Sequence, residues 1–590
     1  MNLITANMGA VSTAMPRASV HSVSARQHSL AVAQLRVLWV AMIFALIAAA
    51  AILRIGYIGL SDTGVRTASM AEELLPPRGE LTDRNGVPLA RAFPAYALWY
   101  NPKALGDPDD PLVKSAPDVA ARLAQIFPSL DVGQTIRKLE AGRATYLVRR
   151  VLPDDANRVH ELGELALELP EETDRHYPQG SMGAHVLGYV NTDGQGRVGM
   201  EQVLNDQLTD PARRGEPVPL SIDMRVQGAL EDELRTGMLS TNAKGAAGII
   251  LDVDTGEVMA LASLPEFDPN KVSSSDLVLP KERMERGDVP ASFNRVTNQV
   301  YELGSTFKPL AVAAAIDAGT VRDFGRRYNA RPIKVGRFEI TDSHFLGNHL
   351  NVAESLIHSS NTVTARIADE LGPEKMRQTM MDLGMSERPY IELPARGHPI
   401  WPGKNWPRLR NMTVSYGHGI AVTPLHLASA YAAMVNGGVW RPATLRKLEP
   451  GAAPKGRRVF KASTSSRMRQ LLRMIAVYGT GKNANAAGFR VGGKTGSAEK
   501  PGSGGYRKTS LVSTFAAAFP MDKPRFVVIA MLDEPKGTTA SSFQRTASWN
   551  AAPIVGRLVP RIGPVMGVRP DMSRDIDMSD LEPLLPGARR

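Results

Sequence analysis

The chain reads as one membrane-spanning helix followed by two globular domains, the first mixed α+β and the second an antiparallel sheet covered by helices. Three observations carry that reading. Val37 to Leu53 is an uncharged, mostly apolar run bracketed by Arg36 and Arg54. At 590 residues the chain is too long for a single core, so more than one domain must follow that run. Apolar strand pairs lie near residues 246–262 and 511–532, with helical patterns between them. Strands at both ends of a region with helices in its middle predict one sheet closed by its terminal segments.

Taken in order, residues 1–36 form a tail containing Arg17, Arg26 and Arg36 and no acidic residue. Residues 37–60 are the anchor, whose uncharged run Val37–Leu53 lies near the short end of the ~17–25 residues that a bilayer requires. The basic bias places the amino terminus in the cytoplasm and the rest outside. The absence of a compact small-x-small cleavage site after the apolar run argues against a removed signal peptide.

Residues 61–220 make the first domain. Asp83 and Asn85-Gly86 mark a polar turn between extended segments at Leu81 and Val87–Ala90. Asp118 to Ile126 reads as a helix, His185 to Val190 as a strand, and Asp193 to Met200 as a glycine-rich turn entering a helix. Residues 221–560 make the second domain. Helical patterns cover Met224–Leu239, Leu310–Ala318, Val352–Ser359, Thr362–Glu370, Pro424–Asn436 and Ser465–Val477. Residues 561–590 are rich in Pro, Asp and Gly and read as a loose, flexible tail.

Composition excludes several classes. There is no cysteine, which removes disulfides, thiolate chemistry and Cys-based metal sites. The formal charge of +11 is spread along the chain without a basic helix or finger spacing, which argues against nucleic acid and fits an anionic lipid or polymer nearby. The histidines are not grouped at metal-ligand spacing, and neither a metal nor a cofactor is expected.

Three short motifs carry the chemistry. Ser305-Thr306-Phe307-Lys308 puts a hydroxyl and an amine three residues apart just before an apolar helical run, on one helical face. Ser359-Ser360-Asn361 and Lys494-Thr495-Gly496 follow in that order. Alone, each has an ordinary reading: Ser305 as a helix cap, Ser359 and Asn361 as a turn, Lys494 to Gly496 as a solvated strand end. Jointly they match the signature of active-site-serine acyl transferases. In that chemistry Ser305 is the nucleophile, and Lys308 is the base if its amine is neutral, which burial and the charge of Lys494 would favour. Ser359 relays a proton, and Asn361 holds Lys308 and the substrate backbone. Lys494 and Thr495 bind a substrate carboxylate, and Gly496 clears space for close approach of the substrate. The amides of Ser305 and Ser497 are the expected oxyanion donors.

Over residues 37 to 560 the chain resembles the class B penicillin-binding proteins, in particular the monofunctional division transpeptidases of the penicillin-binding protein 3 type. Besides the three motifs, the resemblance rests on Arg78-Gly79-Glu80-Leu81-Thr82-Asp83-Arg84-Asn85-Gly86, on Asn294-Arg295, and on Ser415 to Leu427. It implies a pedestal domain of the dimerisation type over 61–220. For 221–560 it implies an α/β penicillin-binding transpeptidase domain with a five-stranded antiparallel sheet covered by helices. It further implies D,D-transpeptidation of peptidoglycan stem peptides through an acyl-enzyme, with β-lactams as covalent inhibitors. Ser305, Lys308, Ser359, Asn361 and Lys494 would be catalytic, and Thr495, Gly496 and Ser497 would bind substrate. The implied partners are a lipid-II-polymerising glycosyltransferase of the division type and small single-pass divisome proteins, at an inner-membrane septum with the catalytic domain periplasmic. Ser497 stands where the family usually has threonine.

Other readings separate on simple features. A β-lactamase would be about half this length and unanchored. A non-catalytic divisome scaffold would not need Ser305, Lys308, Ser359 and Lys494 intact. An elongation-type transpeptidase of the lateral wall shares all three motifs and separates by the pedestal, by the context around Thr423-Pro424-Leu425 and by location in the cell.

Overall fold

The computed structural model describes residues 19–61, 76–105, 114–502 and 505–585, in two compact units divided after Leu75. In the first unit a single helix, α1, runs from Ser19 to Ser61. Its Val32–Arg54 stretch has a mean hydropathy of 2.4 and buries none of its surface in protein. Leu38, Phe44 and Leu53 all stand exposed around the helix. A helix apolar on every side requires an apolar surrounding, and 23 residues reach about 35 Å, enough for a hydrocarbon core of ~30 Å.

The second unit begins with a six-stranded sheet: β1 Leu81–Thr82, β2 Pro88–Tyr100, β3 Thr145–Val151, β4 Leu167–Glu168, β5 Glu171–His176 and β6 Val218–Pro219. The long β2 is its spine. Its first half pairs with β1 and β5 and its second half with β3 and β4, all antiparallel, while β6 joins β1 in parallel. Helices Ala116–Ile126, Val132–Glu140 and Pro153–His160 pack Val119, Leu123, Leu139 and Val159 against Leu98, Tyr100 and Val151 at the far end of that spine. The His185–Val190 run is not a strand. Positive-φ glycines at 183 and 188 bound a single helical turn, Ala184–Leu187, that takes in its first three residues.

The Asp83–Gly86 turn does more than join strands. Asp83 accepts the amides of Asn85 (2.7 Å) and Val87 (2.9 Å), and also that of Met224 (3.2 Å), while Asn85 Nδ2 donates to Asp223 Oδ2 at 2.9 Å. Asp223 is the N-cap of α2, Met224–Ser240, so this turn ties the sheet to the first helix of the larger domain.

The larger domain is built on β7 Gly245–Asp252, β8 Val258–Leu264, β9 Gly492–Gly502, β10 Gly505–Phe519 and β11 Phe526–Asp533. They form one antiparallel sheet in the order β9-β10-β11-β7-β8, the five strands expected. Both faces are covered. In β11, Val527, Ile529 and Met531 join the core shared with α5 (Pro424–Val435) and α6 (Ala462–Tyr478), whereas Val528, Ala530 and Leu532 join the core shared with α2 and α7 (Ala551–Ile562). Two-sided burial is why β7, β8 and β11 read as unbroken apolar runs rather than alternating ones.

The expected loose tail is corrected over residues 563–585. Met578 and Leu581 are buried, and Asp575 grips Arg473 of α6 in a bidentate pair at 2.6–2.9 Å. Asn351 Nδ2 donates to Leu584 O at 2.8 Å. The segment is polar in composition because its carboxylates face arginines on α6, while Met566, Val568, Met578 and Leu581 seat it in the core. Residues 586–590 lie outside the described residues.

Candidate active site

Ser305 lies in a 3-10 turn, Gly304–Phe307, that runs directly into α3, Lys308–Asp317. Nearly every side chain of α3 is buried, so the turn is carried by a rigid helix rather than a free loop. Tyr431 of α5 donates its hydroxyl to Thr306 O at 2.8 Å, and Thr306 Oγ1 donates to Leu303 O at 2.9 Å. Two glycines then let backbone close on the turn. A Cβ on Gly496 would stand 2.4 Å from Leu303 O, and one on Gly417 would stand 2.2 Å from Gly304 O. The absent side chain of Gly496 thus accommodates the serine-bearing turn itself.

Lys308, the first residue of α3, and Lys494, on edge strand β9 opposite Ala516, are both fully buried. They meet on one hydroxyl. Ser359 Oγ accepts from Lys308 Nζ at 3.1 Å and from Lys494 Nζ at 2.9 Å, and Lys308 Nζ also donates to Ser359 O. Among the described residues the Lys308 amine makes no hydrogen bond to the Ser305 hydroxyl; the amine is held on Ser359. Lys494 further donates to Thr495 O (3.0 Å) and Thr495 Oγ1 (3.3 Å), and the Thr495 hydroxyl is 2.8 Å from that of Thr480.

Burial pushes the Lys308 ammonium down to about 7 against a smaller opposing pull from Asp342. Lys494 is held well below the usual lysine range, first by burial and then by the charge of Lys308. The electrostatic part runs opposite to expectation, since repulsion falls on Lys494 whereas burial is what lowers Lys308. Two cations cannot both persist on one neutral hydroxyl away from water. At neutral pH the pair supplies the deprotonated amine that a serine nucleophile needs.

Ser359 itself sits at φ 61°, a left-handed backbone conformation that a serine holds only when its surroundings impose it. The helix before it, Val352–Ile357, starts on a capping box between Asn351 and Glu354. The helix after it, α4 (Asn361–Leu371), starts on Ser360. Asp342 braces the junction by accepting from the Ser360 hydroxyl (2.8 Å), the Thr362 hydroxyl (2.8 Å), the Thr362 amide (3.1 Å) and the Asn361 amide. Nothing in the sequence marks Asp342, which lies 17 residues before Ser359 with no motif around it. Asn361 Nδ2 donates to Thr341 O at 3.0 Å, and among the described residues no hydrogen bond joins it to Lys308, the partner expected for it. Ser497, expected on the substrate, uses its hydroxyl to accept the Ala547 amide at 3.0 Å.

The geometry thus gathers Ser305, Lys308, Ser359, Lys494 and Thr495 at one cleft between α3, α4 and β9. The chain matches the penicillin-binding protein transpeptidase domain over residues 246–558 and the penicillin-binding protein dimerisation domain over 73–216. It is 36% identical over 525 residues to the probable peptidoglycan D,D-transpeptidase FtsI of Caulobacter vibrioides, covering 87% of this chain and 85% of that protein. It is 32% identical over 511 residues to the probable peptidoglycan D,D-transpeptidase PenA of Neisseria meningitidis, covering 81% and 83%. Penicillin-binding protein 3 of Mycobacterium tuberculosis, solved with aztreonam, shares the fold at a TM-score of 0.63 and 22% identity, over 84% of this chain and 98% of that one. With the domain pair, the relatives and the cleft in agreement, this chain belongs to the penicillin-binding protein transpeptidase family.

Proposed function

We propose that the protein is a membrane-anchored serine D,D-transpeptidase that cross-links peptidoglycan stem peptides at the division septum and is acylated by β-lactams. The observation that carries this reading is the Ser359 hydroxyl shared by two buried lysine amines beside the Ser305 turn. In the first half-reaction Ser305 Oγ attacks the carbonyl of a D-Ala-D-Ala bond. Lys308 takes the serine proton, Ser359 passes a proton to the departing amine of D-Ala, and the acyl group remains on Ser305. Apo-state hydrogen bonds of this kind tighten when substrate arrives, so Lys308 turning from Ser359 towards Ser305 is part of the step. Lys494 and Thr495 face the substrate carboxylate, whose charge restores the Lys494 proton. The amides of Ser305 and Ser497 hold the oxyanion, such donors being worth about 3–4 kcal/mol in the transition state. An amine from a second stem then resolves the ester.

The cytoplasmic tail with its three arginines orients α1, leaving the catalytic domain periplasmic. A lipid-II-polymerising glycosyltransferase and small single-pass division proteins are the proposed partners, residues 61–220 being the pedestal that meets them. Similarity to FtsI supports the septal assignment.

Ser305→Ala decides the chemistry. The variant is expected to remain folded and membrane-bound with no covalent labelling by fluorescent penicillin. Labelling at wild-type stoichiometry would place the nucleophile elsewhere. A tagged copy is expected at midcell, and a lateral-wall pattern would make the protein an elongation enzyme instead.

A further inference from the structure

The proton transfers described above leave Arg295 and Tyr301, upstream of Ser305, and Lys500, downstream of Lys494, without a task. All three close on one side chain. Asp533 ends β11, almost wholly buried and in register with Gly245 of β7. Lys500 Nζ on β9 pairs with Asp533 Oδ1 at 2.5 Å, and the Tyr301 hydroxyl lies 3.5 Å from Asp533 Oδ2. Arg295 Nε stands 3.9 Å from the same Oδ2. Its guanidinium is seated on Gly245, where a Cβ would lie 2.5 Å from that nitrogen. Two further acceptors complete the cluster. Lys500 also donates to Glu534 Oε1 at 3.1 Å, and Tyr301 donates its hydroxyl to Gln299 Oε1 at 2.7 Å.

The chain on both sides of the cleft therefore reaches one carboxylate. Tyr301 lies four residues before Ser305, and its backbone exchanges two hydrogen bonds with Val422, at 2.9 and 3.0 Å. Lys500 lies three residues after Ser497 on the same strand, just past a register shift between Glu499 and Lys500. Between these fastenings the serine turn and β9 are in contact. A Cβ on Gly304 would stand 3.2 Å from Ser497 O and 3.2 Å from the Ala498 Cβ. An oxyanion hole built from one amide on each of two segments depends on the distance between them, and a misplacement of about 1 Å can cost ~10²-fold in rate. A buried carboxylate held between two cations is a stiff link, because moving any member leaves a charge unpaired.

Resting on the acyl-transfer reading above, we propose that Asp533 is a positioning residue for the oxyanion hole. With Lys500, Arg295 and Tyr301 it fixes the separation between the Ser305 amide on the turn and the Ser497 amide on β9. Asp533 moves no proton; it acts through the two segments it joins. The carbonyl oxygen gains its full charge only after attack, so a hole of the wrong width slows attack and leaves the preceding encounter unchanged.

The test uses the full chain in detergent micelles. Acylation followed over a series of fluorescent penicillin concentrations separates the encounter constant from the first-order acylation rate. Asp533→Asn keeps the side-chain shape and leaves Lys500 paired with Glu534. It is expected to lower the acylation rate about ten- to hundredfold and to change the encounter constant less than about threefold. An acylaminomethyl boronic acid, whose tetrahedral adduct on Ser305 puts an oxygen in the hole, is expected to lose affinity by the same factor as the rate. Lys500→Met and Tyr301→Phe are each expected to slow acylation about three- to tenfold, and together by less than the product, since both act through Asp533. An acylation rate within about twofold of wild type in Asp533→Asn overturns the proposal. A weakened encounter that accounts for the whole loss does the same, being the mark of a loosened fold, and so does a fully multiplicative double variant. Should Asp533→Asn fail to fold, Lys500→Met decides on the same two constants, an unchanged rate overturning the assignment. A wild-type chain that fluorescent penicillin does not label sinks the acyl-transfer reading itself, an outcome distinct from an unaffected variant.

Discussion

Of the places where the described residues draw a pair of cations onto a single acceptor, two buried ones do opposite things with them. In the smaller domain Glu201 receives Arg78 Nε at 2.8 Å and Arg175 Nε at 2.7 Å, all three side chains being almost wholly buried. Arg78 also reaches Glu201 O, Gly194 O and Asn205 Oδ1, and Arg175 reaches Gly79 O, so the cluster stitches distant stretches of chain together. In the cleft the acceptor is a neutral hydroxyl and the cations are lysines. A carboxylate between guanidiniums, which do not deprotonate in proteins, is a fixed fastening. A hydroxyl between two amines cannot neutralise either charge, so a proton must leave. The difference in acceptor charge turns one arrangement into structure and the other into chemistry.

Substitutions should break the two in different currencies. Lys308→Met is expected to slow acylation by fluorescent penicillin ~10²–10⁴-fold, the usual contribution of a general base, while leaving thermal stability unchanged or raised because a buried amine is removed. A drop in melting temperature together with the loss of rate would show that Lys308 is a structural residue. Glu201→Ala is expected to do the reverse. Removing one member of a buried ionic cluster costs about 3–5 kcal/mol because the remaining charges are left unpaired. Denaturant unfolding should therefore move strongly, while the folded fraction acylates within threefold of wild type. A stability change below about 1 kcal/mol would mean that the arginines hold the fold without the carboxylate.

The pH dependence sharpens the contrast. Lys308 titrates near 7 when folded and near its ordinary 10.5 when unfolded. The rate of acylation is expected to rise with pH through about 7 as the amine loses its proton. Between those two values the unfolded chain binds the extra proton, so the Lys308 contribution makes stability increase with pH across that window. Lys308→Met should lose both slopes, whereas Glu201→Ala should keep the kinetic one. A rate flat from pH 6 to 8 in the wild type would remove the neutral-amine argument.

These distinctions also mark what the amino-acid order could reveal. Ser305, Lys308, Ser359 and Lys494 were legible because their chemistry demands particular residue types near known local structure. The strands β7, β10 and β11 were legible because burial on both faces leaves long apolar runs. Asp342 was not, since its value lies entirely in reaching the Ser360–Thr362 backbone across the fold. Asn361 was assigned to Lys308 by motif logic, yet its amide is satisfied by Thr341 O, a partner set by the hairpin beside it. His185–Val190 reads as a strand because four of its residues are apolar, but the positive-φ glycines 183 and 188, which bound the turn Ala184–Leu187, outweigh that pattern.

The carboxyl-terminal segment gives the smallest and most local test. Its sequence is that of a loop, and its attachment to α6 depends on pairs whose acidic member is partly solvated: the Asp575 side chain is 36% exposed and the Asp580 side chain 50%, against 9% and 27% for Arg473 and Arg467. Half-exposed pairs of this kind contribute about 0.2–1 kcal/mol each, so Asp575→Ala should cost less than about 1 kcal/mol and leave acylation untouched. The segment nevertheless ends on Asn351, the cap of the helix that leads to Ser359. Amide hydrogen exchange distinguishes fastening from decoration. In Asp575→Ala, faster exchange confined to residues 563–585 would describe a strap that merely covers α6. Faster exchange spreading to residues 351–360 would show that the strap helps to hold Ser359 in its left-handed conformation, bringing the tail into the same mechanical unit as the lysine pair.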